Sequence, residues 1–191
     1  MVNNYIVDNP TTAVVPDGGE AAAGVEGPEG PAGPEGPPAN GSSLYAEYVT
    51  AYLTHNTFAH QTQLYHFGVL ANAYATVHMV NNIFTNFSVA IDQPTPVPGA
   101  GDYASFTLFW NNLFDYGTGV VISSDEVAGD PAFVGGGNYD LTAASAAINA
   151  GTDAGVILDY FGGDRPWGGG FEIGAEEYPR QVHVFLPAVM R

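Results

Sequence analysis

The sequence predicts an all-β chain coiled into stacked rungs, a short parallel β-helix, and three observations predict it. The first is an asparagine-apolar motif that returns along the chain: Asn3-Asn4-Tyr5-Ile6, His55-Asn56-Thr57-Phe58, Asn81-Asn82-Ile83-Phe84 and Asn111-Asn112-Leu113-Phe114. Its second residue falls at 4, 56, 82 and 112, with gaps of 52, 26 and 30 residues, and 52 is twice 26. A recurrence of that length marks stacked supersecondary units rather than one globular core. The second observation is that a short apolar run follows each motif: Ala13-Val14-Val15, Gly68-Val69-Leu70, Val89-Ala90-Ile91 and Gly119-Val120-Val121-Ile122. The third is negative. No twelve-residue stretch holds a 3.6-residue apolar period, and turn formers such as Asp8-Asn9-Pro10 and Gln93-Pro94-Thr95-Pro96 separate the runs. Two or three short strands per repeat, joined by turns, describe one rung.

The recurring asparagine has a physical role in such a coil. It tolerates a left-handed backbone at a tight corner. Stacked on the same corner of the next rung, its amide donates to one neighbour and accepts from the other, at about 1 kcal/mol net per bond. Asn4, Asn56, Asn82 and Asn112 are therefore expected to form one structural column.

Taken in order, residues 1–16 read as an N-terminal strand or rung. Residues 17–43 interrupt the repeat. Glycines at 24, 27, 30, 33 and 36 hold a three-residue period with prolines between them, a collagen-like pattern. Glu26, Glu29 and Glu35 have no lysine or arginine nearby, so three such chains side by side would repel. The expected form is an extended arm leaving one corner of the coil. Residues 44–122 carry three uninterrupted rungs. Residues 123–178 are richer in glycine and carry short motifs, the expected C-terminal cap. In the tail, 179–191, Val182, Val184, Phe185, Leu186, Val189 and Met190 alternate partly like a last strand that pairs along an edge or seals an end.

Charge narrows the function classes. Three arginines and no lysine stand against 20 acidic residues, a net charge of −17. Nucleic-acid binding needs a basic patch, so it is not expected, nor is binding to an anionic membrane surface. Cysteine is absent, which removes thiol nucleophiles, zinc thiolate sites and disulfides. No stretch approaches the roughly 20 apolar residues of a membrane span. The first residues lack the basic region and apolar core of a signal peptide, so the numbering is expected to begin inside a longer precursor or after processing.

The C-terminal third carries a more specific set of motifs. Gly129-Asp130-Pro131-Ala132-Phe133 precedes Gly137-Asn138-Tyr139-Asp140-Leu141 and Ser145-Ala146-Ala147-Ile148-Asn149-Ala150-Gly151. Asp159, Gly162 and Asp164-Arg165-Pro166 follow, then Glu172-Ile173-Gly174-Ala175-Glu176-Glu177-Tyr178. In that order they resemble the end of bacterial extracellular right-handed parallel β-helix proteins of the choice-of-anchor type, across residues 44–178 and 3–15. The resemblance implies a right-handed coil and a secreted or surface-displayed protein, but no single activity. It implies a structural cap made by Asp130, Asp159, Asp164, Arg165 and Glu172, with Arg165 semi-buried and paired to Asp159, Asp164 or Glu172.

No catalytic set is expected. A lyase would need a strong base and cations for a uronate, and the chain has no lysine. Asp92, Asp102, Asp115 and Asp125 lie near turns and could in principle converge as a hydrolase requires, but nothing in their spacing demands it. His55, His60, His66 and His78 match no metal motif and are expected on different faces, packed against aromatics. No cofactor is implied; calcium is the cation whose taste for carboxylate oxygens suits Asp125, Glu126 and Asp130. About four rungs at roughly 4.8 Å make a body about 20 Å long. Its C-terminal end is expected to be closed by the cap, and its other end to expose strand edges. These features lead to an extracellular or cell-surface structural subunit that self-associates, most concretely into a homopolymeric filament. The alternative is an adhesin or glycan-binding module using Tyr65, Tyr74, Tyr103 and Trp110, and a polysaccharide lyase or hydrolase comes third.

Overall fold

The computed structural model describes residues 5–7, 42–60, 66–95, 102–122 and 125–179. Asn4, the Gly-Pro arm up to residue 41, Tyr65 and the tail from residue 180 lie outside the described residues. Those described contain no helix and fifteen short strands. They are β1 (Tyr5–Val7), β2 (Ser42–Glu47), β3 (Thr50–Thr54), β4 (Thr57–Ala59), β5 (Phe67–Asn72), β6 (Thr76–Val80), β7 (Ile83–Thr85) and β8 (Val89–Asp92). The rest are β9 (Asp102–Ser105), β10 (Leu108–Trp110), β11 (Phe114–Tyr116), β12 (Val120–Ile122), β13 (Val127–Ala128), β14 (Phe133–Gly135) and β15 (Asn138–Leu141).

Thirteen of these strands form three parallel sheets, in the orders β2-β5-β8-β11, β3-β6-β9-β12 and β1-β4-β7-β10-β13. The chain visits the three sheets in rotation, one strand in each per circuit. Thr57, Ile83 and Leu108 stand in register on the third sheet, 26 and 25 residues apart. Neighbouring circuits are joined by ordinary parallel ladders. β14 and β15 form a separate antiparallel pair.

Like residues stack between the sheets. Leu44, Val69 and Ile91 align on the first sheet, and Leu53, Met79 and Ala104 on the second. Phe58, Phe84 and Phe109 align on the third, with ring centroids 4.6 and 5.8 Å apart. All are buried in one core cluster. The third sheet is also covered on its other side. There Ile83 and Leu108 are buried with Leu141, Ala147 and Ile173 in a second cluster. The consecutive apolar pairs Ile83-Phe84 and Leu108-Phe109 are what a strand buried on both faces requires, because successive side chains point to opposite sides.

This placement corrects the expectation for residues 123–178. They are loop-rich, as expected, but they do not close the C-terminal end of the circuits. They fold back along the outer face of the third sheet as a lateral flap. The flap reaches the first described circuit, where the Ala175 N–H donates to Thr57 Oγ1 at 3.1 Å. The Gly174 N–H donates to the Asn81 carbonyl at 2.9 Å. The physical reason is apolar surface: Ile83 and Leu108 would otherwise face water, and burying them is worth about 1.5–3 kcal/mol each.

The flap depends on close approach at Gly174, which has a φ of +102°. A Cβ there would meet Ile83 Cδ1 at 2.6 Å and Thr57 Oγ1 at 2.9 Å. Gly174→Ala is expected to destabilise by about 2–3 kcal/mol through backbone strain and the clash. Hydrogen exchange should rise first across residues 141–178; uniform acceleration over all three sheets would contradict a separately docked flap.

Candidate functional site

The corners between the second and third sheets carry the first half of the asparagine column. Asn56 and Asn82 are completely buried. The Asn56 backbone N–H and Nδ2 both donate to Asn82 Oδ1, at 2.9 and 3.0 Å. Asn82 Nδ2 donates to the carbonyls of Leu53 and Val80. One amide thus satisfies several polar groups that the corner hides from water.

The third place in that column belongs to Thr107, because Leu108 pairs with Ile83. Thr107 is also completely buried, and its hydroxyl donates to the Ser105 carbonyl. Asn112 is therefore not in the column with Asn56 and Asn82. It follows β10 instead of preceding it and lies at the corner leading to the first sheet. There its Oδ1 accepts the Phe87 N–H at 2.9 Å, and its Nδ2 donates to the Phe84 carbonyl and to Asp115. A second asparagine ladder runs beside it: Asn111 Nδ2 donates to Asn86 Oδ1 at 2.6 Å, and Asn86 Nδ2 to the His60 carbonyl at 2.8 Å. Asn86 and Asn111 are both left-handed, with φ of 66° and 53°. Two kinds of corner can each use Asn-Asn, so sequence spacing alone merged them.

The first residue of each doublet was missed. Asn81 is left-handed and buried, and it ties the circuits to the flap. Its Nδ2 donates to His55 Nε2 at 2.9 Å and to the Thr152 carbonyl at 2.7 Å, while its Oδ1 accepts the Thr152 N–H. The Asn-Asn doublet was the available signal.

The flap centres on Arg165, which is buried as an ion pair with Glu177: Nη1 to Oε1 is 2.6 Å with both side chains sealed from solvent. The partner is Glu177, not Asp159, Asp164 or Glu172. Its second oxygen accepts the Trp167 N–H, and Arg165 Nη2 donates to the Gly174 carbonyl. Asp159 supports the pair from behind, its carboxylate accepting the N–H groups of Phe161, Gly163 and Glu177. Asp164 is exposed and forms a backbone bridge with Leu158. Asp130 turns its own loop by accepting the Ala132 N–H. Glu176, beside Glu177 in sequence, accepts the Leu141 N–H and pins β15.

Glu172 is completely buried, and neither carboxyl oxygen finds a hydrogen-bond partner of normal geometry among the described residues. Burial first, then the neighbouring Glu177 carboxyl, pushes its pKa up to about 9. His55 is completely buried nearby. Burial first, then Arg165, brings its pKa down to about 3.

Among the described residues no three His, Cys, Asp or Glu side chains gather as a metal site. Asp125 and Glu126 are exposed, and Glu126 accepts the Tyr116 hydroxyl. Asp92 accepts from Thr118. His60 and His66 stack on each other at 3.9 Å, whereas His78 lies between Tyr52 and Tyr103 at 4.9 and 5.1 Å. Tyr74 stacks on Tyr48 at a neighbouring corner. These exposed rings turn their faces toward one another along the stacking direction. No helix among the described residues is long and apolar enough to cross a membrane.

Exposure over the last two circuits is the remaining feature. Ala59 and Thr85 are buried, whereas Trp110, next in their row, is 42% exposed. Leu113 and Phe114 are 63% and 60% exposed. Among the described residues β11 and β12 have no strand beyond them. At the opposite end Ser42 to Ala46 of β2 are all buried. β2 and β3 likewise have no described strand before them, so strand edges stand at both ends of the described circuits.

Two outcomes follow. Asn82→Ala should cost about 2–3 kcal/mol in urea unfolding, because it strands buried groups, whereas Asn112→Ala at a half-buried corner should cost about 1; equal losses would dissolve the distinction between the two corners. The neutral Glu172 contributes stability that is full below pH about 4.5 and lost as pH rises through about 9. The neutral His55 contributes stability that is present above pH about 6.5 and lost as pH falls toward 3. Calorimetric Tm should be flattest between those inner limits, and Glu172→Gln should raise Tm at pH 8 but not at pH 5; an unchanged alkaline limb would refute the assignment. No protein-family model matches the chain, nor does any curated protein or solved structure.

Proposed function

We propose that the chain is a structural subunit of an extracellular or cell-surface assembly, a short right-handed parallel β-helix whose copies join end to end as a homopolymeric filament. The observation that carries this reading is the β11 edge, which has no strand beyond it among the described residues: Leu113 and Phe114 of the last circuit face solvent beside it, and Trp110 is exposed on the circuit before. An edge of parallel strands accepts a further strand with the hydrogen bonds already used within the sheet.

A second support comes from β1. It pairs with β4 in register, yet residues 8–41 separate it from β2. A strand on so long a tether fits the same edge of its own chain or of a sister, the arrangement that permits exchange between copies. The collagen-like arm lies within that tether in sequence. The resemblance to choice-of-anchor proteins agrees with display outside the cell, and the −17 charge agrees with a soluble surface in a polar setting.

A glycan-binding module is the second reading, favoured by the exposed row Tyr52, His78 and Tyr103. Sugars stack on ring faces, and in this row the inner faces are occupied by neighbouring rings, which leaves edges for a ligand. A lyase or hydrolase comes third; the carboxyls that converge among the described residues, Asp159, Glu172 and Glu177, are buried around Arg165. Electron microscopy of native material from producing cells, with sedimentation, separates the readings. Filaments or a large sedimenting species are expected. A monodisperse monomer that binds polysaccharide would replace this reading with the second.

A further inference from the structure

We propose that Tyr48 and Tyr74 form an oxidative cross-linking site, at which a peroxidase with hydrogen peroxide joins two successive circuits through a dityrosine bond. The two rings stack with centroids 5.6 Å apart and planes 21° from parallel. Both are open to a reagent, at 60% and 69% exposure. They occupy the corner between the first and second sheets, Tyr48 after β2 and Tyr74 after β5. Backbone bonds pin that corner on either side of the rings. The Tyr48 N–H donates to the Ala73 carbonyl and the Thr76 N–H to the Val49 carbonyl, each at 2.9 Å.

The residue type is the anomaly at this corner. Both tyrosines are left-handed, with φ of 54° and 64°. Asn81, Asn86 and Asn111 fill left-handed corners elsewhere, and asparagine adopts that backbone more readily than a bulky side chain does. An outlier of this kind points to a use for the side chain. Both rings are exposed, so core packing does not account for the choice. The chain has no cysteine, so no disulfide ties one circuit to the next. Two stacked phenols can supply a covalent tie instead.

The step balances with peroxide as the oxidant. Each phenol gives up one electron and its O–H proton. The two radicals couple through a ring carbon beside each oxygen, and the hydrogens on those carbons then move to the oxygens and restore both rings. One C–C bond has formed, two hydrogens have left the pair, and hydrogen peroxide has become two waters. Exposed side chains turn in picoseconds to nanoseconds, so the stacked rings can tilt until the carbons meet. Tyr52 and Tyr103 provide a comparison within the same protein. They are 64% and 45% exposed, but His78 stands between them at 4.9 and 5.1 Å and keeps the two phenols apart.

This inference stands apart from the assembly reading, and its test uses the full chain at micromolar concentration with peroxidase and hydrogen peroxide. Dityrosine fluorescence should appear while the chain stays a monomer, its mass lower by two hydrogens, and peptide mapping should join residues 48 and 74. Tyr48→Phe or Tyr74→Phe, which keeps the ring, should remove most of that emission, whereas Tyr52→Phe should leave it unchanged. The new bond closes the stretch between the two circuits, so the urea midpoint of the cross-linked chain should rise. The proposal falls if no dityrosine forms, if Tyr48→Phe leaves the emission unchanged, or if Tyr48 and Tyr74 are joined no more often than Tyr52 and Tyr103.

Discussion

Two-sided burial of the third sheet is the constraint from which the rest of the architecture follows. Its inner residues, Phe58, Phe84 and Phe109, stack as a column of rings between the sheets. Its outer residues, Ile83 and Leu108, need a second cover. A strand hidden on both faces has no solvent side on which to place polar side chains. The chain meets that need with its own C-terminal third, and the flap then needs polar fastenings of its own. Asn81 supplies one at the corner, and Thr57 another. The buried Arg165–Glu177 pair keeps the loops of the flap in one arrangement. Such pairs are weak sources of stability but costly to break singly, about 3–5 kcal/mol when one partner is lost.

The electrostatics of this region run against the chemistry of most surfaces. One arginine faces Asp159, Glu172 and Glu177 inside the protein, so a single positive charge serves three carboxyls. The charge balance is met by leaving Glu172 protonated and His55 neutral. Both groups are hidden, both lack solvent, and they respond to pH in opposite directions. The interior of the flap therefore has its own pH window, independent of the large negative charge outside.

Much of the fold was legible in the sequence. Short β-branched runs at a 26-residue recurrence describe the parallel circuits, and the asparagines do sit at corners. The misreading of Asn112 has a definite cause. Asn-Asn serves two kinds of corner here, one entering the third sheet and one leaving it, and a motif read without register cannot tell them apart. The column continues instead through Thr107, whose hydroxyl also satisfies a buried corner and whose identity gave no hint of kinship with asparagine. The lateral flap was harder still. Its signal was the adjacent apolar pair at 83–84 and again at 108–109, which does not by itself say what covers the second face. Glu177 was invisible as a partner because it lies twelve positions from Arg165 and three other acids, Asp159, Asp164 and Glu172, are nearer in sequence.

The flap also has a consequence for length. It is fastened near Thr57 in one circuit and continues from Val127, in β13, the third-sheet strand of the last. It therefore works as a ruler laid across the layers. Duplicating a 26-residue unit between those anchors would carry them about 4.8 Å apart and leave a gap the ruler cannot span. Lineages that lengthen this protein would have to add layers beyond the ruler's two marks, or lengthen the ruler in step.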